Sequence, residues 1–288
     1  MTTTTALDAR WAAVLAGLSR GWIETRQNLT ETVNIISHVL PPAVYVAVLL
    51  LTHAKATPGT GAAVVAMMLP GFLSMSIVFG GLWGPTGGIT ADREDGTLLR
   101  AKATPNGMLG YLVGKIVMFT LTTLLSLMVI VIPGVMIVDG LVLEVRTWLL
   151  LALVFVVGMV STVPLGVALG SLMRSSMQAL LVPLTCMLLI FVSGIFFPIT
   201  VLPTWLQSLA QAFPIYWVGL GVRSAILPPE MVGAEIGQPW GTVEMFVVLG
   251  VWAALGLLLA PILLRRMARR QSGSALARTR ERVMAKGY

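Results

Sequence analysis

A chain of 288 residues with 57% hydrophobic and only 11% charged side chains cannot cover a water-facing surface, because a soluble globular domain carries about 25% charged residues. The net charge of +7 would fit nucleic-acid binding in a soluble chain, but here it fits a polytopic membrane protein whose basic residues gather on one side. Cys186 is the only cysteine and lies in an apolar run, which excludes an intrachain disulfide and a cysteine-based metal site.

Residues 5–30 come first. Trp11, Leu15, Leu18, Trp22 and Leu29 recur at helical spacing and line one face. Arg10, Arg20, Glu24 and Arg26 stand among polar neighbours. A helix with tryptophan on one face and arginine on the other is expected to lie in the membrane interface. The plainer alternative is an ordinary helix packed on the bundle. Residues 1–30 hold no continuous apolar stretch, so the first span is expected to act as an uncleaved signal.

Crossing a hydrocarbon core of roughly 30 Å takes about 20 mostly apolar residues. Six stretches qualify: 35–52, 62–83, 109–134, 148–171, 179–197 and 243–264. Each contains proline, which neighbouring helices can compensate. The spacings Gly80-x-x-x-Gly84, Gly110-x-x-x-Gly114 and Gly166-x-x-x-Gly170 allow close helix contact.

Six spans put both termini on one side. With the termini inside, sixteen basic residues are inside: Arg10, Arg20 and Arg26; Arg93, Arg100, Lys102 and Lys115; Arg174; and eight in the tail from Arg265 to Lys286. Three are outside: Lys55, Arg146 and Arg223. This asymmetry predicts cytoplasmic termini. The expected domain is single, 1–288: an interfacial helix at 5–30, a six-span bundle at 35–264 and a basic tail at 265–288.

Between the fifth and sixth spans, residues 194–228 are neither a clean span nor a polar loop. Trp205, Leu206, Leu209, Phe213 and Trp217 show helical spacing, broken by Pro198, Pro203 and Pro214. Aromatic residues favour the interface, and short helices at membrane depth need protein around their backbone. A re-entrant or partly embedded helical hairpin on the outer side is expected.

Catalytic motifs are missing. Gly110-Tyr-Leu-Val-Gly114-Lys115-Ile116 has three residues between its glycines where a phosphate loop needs four, and Ile116 where it needs Ser or Thr. His38 and His53 flank the first span without a metal-binding pattern. Asp92-x-x-Asp95-Gly96-x-x-Leu99-Arg100 is similar to half of the metal signature of CDP-alcohol phosphatidyltransferases. That family has alanine at the place of Leu99 and two further aspartates, and no aspartate occurs between Gly96 and Asp139. Half a ligand set holds a hard cation poorly. A secondary carrier is the other alternative, and it usually needs ionisable groups inside its spans; Lys115 and Arg146 stand near span ends, where they can snorkel. No catalytic residue, metal ligand or cofactor of the chain's own is therefore expected.

Six charges fall within the eleven residues Asp92 to Lys102. Asp92, Glu94 and Asp95 are expected in the first turn of a helix and Arg100 and Lys102 late in it, as the helix dipole favours. Leu98 and Leu99 supply an apolar contact, and Gly96 leaves room for close approach. The alternative is a solvated loop with ordinary charge patterning. The run Glu94-Asp-Gly96-Thr97-Leu98-Leu-Arg-Ala-Lys-Ala-Thr104-Pro105 resembles the cytoplasmic loop of type-2 ATP-binding-cassette (ABC) exporter permeases, E-x-G-T-L followed by T-P. The segment Ser193-Gly194-Ile-Phe-Phe197-Pro198 … Leu202-Pro203-x-Trp205-Leu206 … Pro214 resembles that family's stretch between spans 5 and 6.

The resemblance implies an all-α membrane subunit of six spans with a coupling helix between spans 2 and 3. Asp92, Arg93, Glu94, Asp95, Gly96, Thr97, Leu98, Arg100 and Pro105 would seat in a separate nucleotide-binding ATPase subunit, present in two copies and carrying ATP and Mg. A second permease chain, identical or homologous, would complete the pathway in the plasma membrane. Ser74, Ser76, Thr120, Thr123, Ser126, Ser161, Thr162 and Ser193 are candidates for that pathway, or else bond backbone carbonyls of their own helices. Trp11, Trp22, Trp205 and Trp217 are expected at the interface. The weakly polar spans favour export of an amphipathic drug, lipid or lipid-linked molecule.

Overall fold

In the computed structural model, residues 3–55, 60–173, 176–179, 181–228 and 240–270 are described. They are all-helical, with no strand among the described residues. Most of the expected basic tail lies outside them.

Helix α1 (Thr3–Asn28) precedes α2 (Thr32–Lys55), the first span-length helix. Next come α3 (Thr60–Val78), a π-helical turn (Phe79–Trp83) and α4 (Gly84–Glu94). These run on without a break, so the second span extends well past its expected end at 83 and reaches Glu94. The short α5 (Thr97–Lys102) follows, then α6 (Gly107–Ile137) and α7 (Val145–Leu172). Two short helices, α8 (Ser176–Ala179) and α9 (Leu181–Val192), lead to α10 (Thr204–Ala212), α11 (Pro214–Ile226) and the long α12 (Thr242–Arg270).

Among the described residues five helices have the length and composition to cross a membrane. In the stretch expected at 179–197, residue 180 lies outside the described residues, and on either side of it stand the end of α8 and then α9. The end of α9 has a local cause: Gly194 has φ +63, which leaves the right-handed helical region.

The core forms where α7 packs along α12 and α4, with α3 and α11 completing it. Close approach depends on residues without side chains. A Cβ on Gly166 of α7 would stand 2.6 Å from the Leu82 carbonyl oxygen. Thr86 Oγ1 bridges the same two helices, donating to the Leu82 and Gly166 oxygens at 2.7 and 3.0 Å. By contrast α2, α9 and α12 each keep a broad exposed apolar face.

In helix α11 it is the interfacial placement expected for Trp217 that differs. Nearly all of the helix is buried, packed on α7, α3 and α12. Trp217 is buried at 9% exposure, and its Nε1 donates to the Gln211 oxygen at 2.6 Å. Arg223, counted among the basic residues on the outer side, is buried; its Nη1 donates to the oxygens of Gly194 and Ile195 at 3.1 and 3.2 Å. Pro203 and Pro214 open α10 and α11 at positions where proline loses no intrahelical bond, which makes two helices of one apolar segment. Trp205 stays exposed on α10, and Trp11 and Trp22 on α1.

Candidate functional site

The charged segment between the second and third spans folds as a joint. Asp92 and Glu94 close α4 instead of opening the next helix. Asp95 caps α4 with its backbone N–H, given to the Ala91 oxygen. It also starts α5: its Oδ1 accepts the Thr97 N–H at 2.7 Å. Gly96 makes the corner between them at φ +84, a conformation costing an L-residue with a Cβ roughly 1–2 kcal/mol. The expected first-turn placement of all three carboxylates therefore holds only for the capping role of Asp95. The helix is divided at Gly96 and is not continuous.

Leu98 is fully buried in the chain's own core, as is most of Ala101. It anchors α5 to the bundle and offers nothing to a partner. Glu94, Asp95, Arg100, Lys102, Thr104 and Pro105 face outward, with Leu99 and Thr97 half-buried. Arg100 Nη2 donates to Thr97 Oγ1 at 3.1 Å.

Three sets of contacts tie this joint to the bundle. Arg93 Nη1 donates to the Met173 oxygen, just past α7, at 2.6 Å. Lys102 Nζ donates to the Ala268 oxygen near the end of α12 at 3.1 Å. The third set is a charge network that sequence reasoning missed. Lys115 on α6, expected to snorkel, is buried at 6% exposure. Its Nζ lies 2.7 Å from Asp92 Oδ2 and 3.1 Å from Glu24 Oε2. Tyr111 OH donates to the same Asp92 oxygen at 2.6 Å. Arg20 Nε donates to Glu24 Oε1 at 2.6 Å, and its guanidinium stands 4.9 Å from the Tyr111 ring centroid. Two cations and two carboxylates thus meet with balanced charge. Burial pushes the Glu24 carboxyl up, but Lys115 and Arg20 together outweigh it and hold the group below its ordinary value.

What brings α1 there is a glycine seam. Gly17 and Gly21 of α1 face Gly110 and Gly114 of α6, and a Cβ on Gly17 would lie 2.6 Å from the Gly110 oxygen. The sequence held one signal for this: both helices carry Gly-x-x-x-Gly, and each follows it closely with a charged partner, Glu24 and Lys115. The seam turns Trp11 and Trp22 outward, at 65% and 62% exposure.

The pathway candidates sort differently. Ser74, Ser161, Thr162 and Ser193 are buried and donate to carbonyl oxygens of Pro70, Gly158, Gly158 and Ile190, each within its own helical turn. Ser126 bonds the oxygens of His38 and Thr122. Thr123 is buried where a Cβ on Gly80 would strike it. Ser76 and Thr120 are half-buried. The alternative of bonding within the helix accounts for the first four. Among the described residues, no group of acidic, histidine or cysteine side chains is arranged to hold a metal ion.

Span-length apolar helices joined by a charged, internally braced loop define a multi-pass helical membrane protein. The family model described as ABC-2 family transporter protein matches residues 23–264. The chain belongs to that family and is its transmembrane component. A search of curated proteins gave no match. Membrane proteins of this family are generally non-catalytic themselves and typically pair with an ATPase subunit.

Proposed function

We propose that this chain is the permease subunit of an ATP-driven exporter, moving an amphipathic drug, lipid or lipid-linked molecule outward across the plasma membrane. It has six spans in this reading, α8 and α9 belonging to the fifth, and both termini are cytoplasmic. Two nucleotide-binding subunits carry ATP and Mg. A second permease chain, identical or homologous, shares the pathway.

The observation that carries the reading is the division of labour in residues 92–105. One side of the joint is charged and exposed. The other is tied to α6 through Asp92 and its partner Lys115, which also reaches Glu24 of α1, to the residue after α7 through Arg93 and to α12 through Lys102, with Leu98 in the core. A push on the exposed side would be passed to these helices, because releasing Asp92 would leave the buried Lys115 charge short of a partner and releasing Leu98 would leave a void. Closure of the ATPase pair on ATP would displace α5 and shift the helices between two packings. The spans themselves are apolar and weakly polar, which suits an amphipathic cargo.

Expression with an ATPase subunit, followed by copurification and substrate-stimulated ATP hydrolysis in nanodiscs, tests the reading. Reversing Arg100 and Glu94 together should release the ATPase. Retention of the ATPase with full transport would remove this joint from the coupling path.

A further inference from the structure

One exposed face of α12 changes character along its length. Leu255, Leu258 and Ile262 are exposed, and Arg265, Arg266 and Arg269 continue the same stripe at spacings of three and four. The opposite face is buried through Leu264 and Ala268. Among the described residues none of the three arginines enters an ion pair, whereas Arg20 and Lys115 do. Residues 265–288 contain eight basic residues and one acidic one, Glu281.

We propose that Arg265, Arg266 and Arg269 bind the headgroups of anionic phospholipids in the leaflet reached by the C-terminal end of α12. A phospholipid carries its acyl chains below a phosphate-bearing headgroup, and this stripe is an apolar track ending in three guanidiniums. A guanidinium takes phosphate oxygens in pairs, which a lysine does not. Among the described residues no carboxylate pairs with these arginines, so a net negative headgroup is favoured over a zwitterionic one. An acidic protein surface would satisfy the arginines but not the exposed leucine and isoleucine beneath them. The site also has a place in the bundle. On the buried side of the same turn, the Ala268 oxygen accepts Lys102 of α5. Headgroup occupancy therefore stiffens the turn against which the charged joint rests.

The test uses the full chain alone, so it does not depend on any ATPase partner. Native mass spectrometry compares retention of phosphatidylglycerol and phosphatidylcholine with matched acyl chains. Each arginine near an anionic surface is worth about fivefold in binding, and three about a hundredfold. The R265Q/R266Q/R269Q variant should lose the preference by that order, and R278Q/R280Q/R282Q should keep most of it. For wild type alone, added phosphatidylglycerol should raise Tm, and salt should weaken the effect. Equal retention of the two lipids by wild type overturns the proposal. So does a preference that vanishes with the tail variant but survives the helix variant. If the helix variant keeps the lipid preference and loses a copurifying protein, the surface docks protein and the proposal fails.

Discussion

Lys115 of α6 stands between two carboxylates from two other helices, 2.7 Å from Asp92 of α4 and 3.1 Å from Glu24 of α1. Removing the cation would leave two like charges facing each other with little water. Removing one member of a buried ion pair costs about 3–5 kcal/mol; with the carboxylate side chains still 15% and 18% exposed, we expect the low end for Lys115→Met, about 3 kcal/mol. Thermal unfolding in detergent measures it. A double-mutant cycle with Glu24→Gln should be non-additive, since the second change relieves part of the first. Additive losses would mean that the two groups act independently.

The same network makes a pH prediction. The Glu24 carboxyl titrates below its ordinary 4.5 in the folded chain. A lowered carboxyl stabilises the fold fully above the unfolded value, and that contribution is lost as pH falls through the folded one. Stability of the α1 attachment should hold steady from neutral pH to about 5 and decline below 4.5. Glu24→Gln should be less stable at neutral pH and show a shallower acid decline. An unchanged acid slope in this variant would count against the role of Glu24.

Leu98 and Arg100 should separate folding from docking. Leu98→Ala hollows a fully buried site, with an expected loss of about 2–5 kcal/mol, read as a lower Tm of the isolated chain. Arg100→Glu alters an exposed side chain and should leave Tm within a degree or two while weakening ATPase copurification. A Tm unaffected by Leu98→Ala would show that its burial is not maintained.

At Gly17 the expected effect is steric. A side chain there meets the Gly110 oxygen and Val113, and overpacking of this kind costs about 1–3 kcal/mol. Gly17→Val should lift α1 from α6 and speed its proteolysis relative to Gly17→Ala, with the rest of the bundle protected.

Two tryptophans expected in the same environment should differ. In variants retaining a single tryptophan, Trp205, 66% exposed, should be quenched by lipid-borne bromine near the headgroups. Trp217, packed within α11 and bonded to Gln211, should resist both lipid-borne and aqueous quenchers. Equal quenching of the two would mean that α11 is not held in the core.

The sequence by itself determined what depends on composition and local pattern. Too few charges for a water-facing surface set the membrane class, runs of twenty apolar residues located the long helices, and the charged insert after the second span marked the joint. Local chemistry also accounts for Gly96 as a corner and for prolines opening α10 and α11. What only the tertiary structure decided is which side chains those helices bring together. Glu24, Asp92 and Lys115 are separated by 67 and 22 residues, and no local period relates them; they meet because the glycine seam of α1 and α6 lets two backbones nearly touch. Leu98 looked like a contact for a partner because a leucine in a charged loop reads the same whether it faces outward or inward. The charge count placed Arg223 on the outer side but could not say that α11 packs on α7, α3 and α12 and buries it. Apolar pattern states that a face will be covered, and only packing assigns the cover to lipid, to this chain or to another.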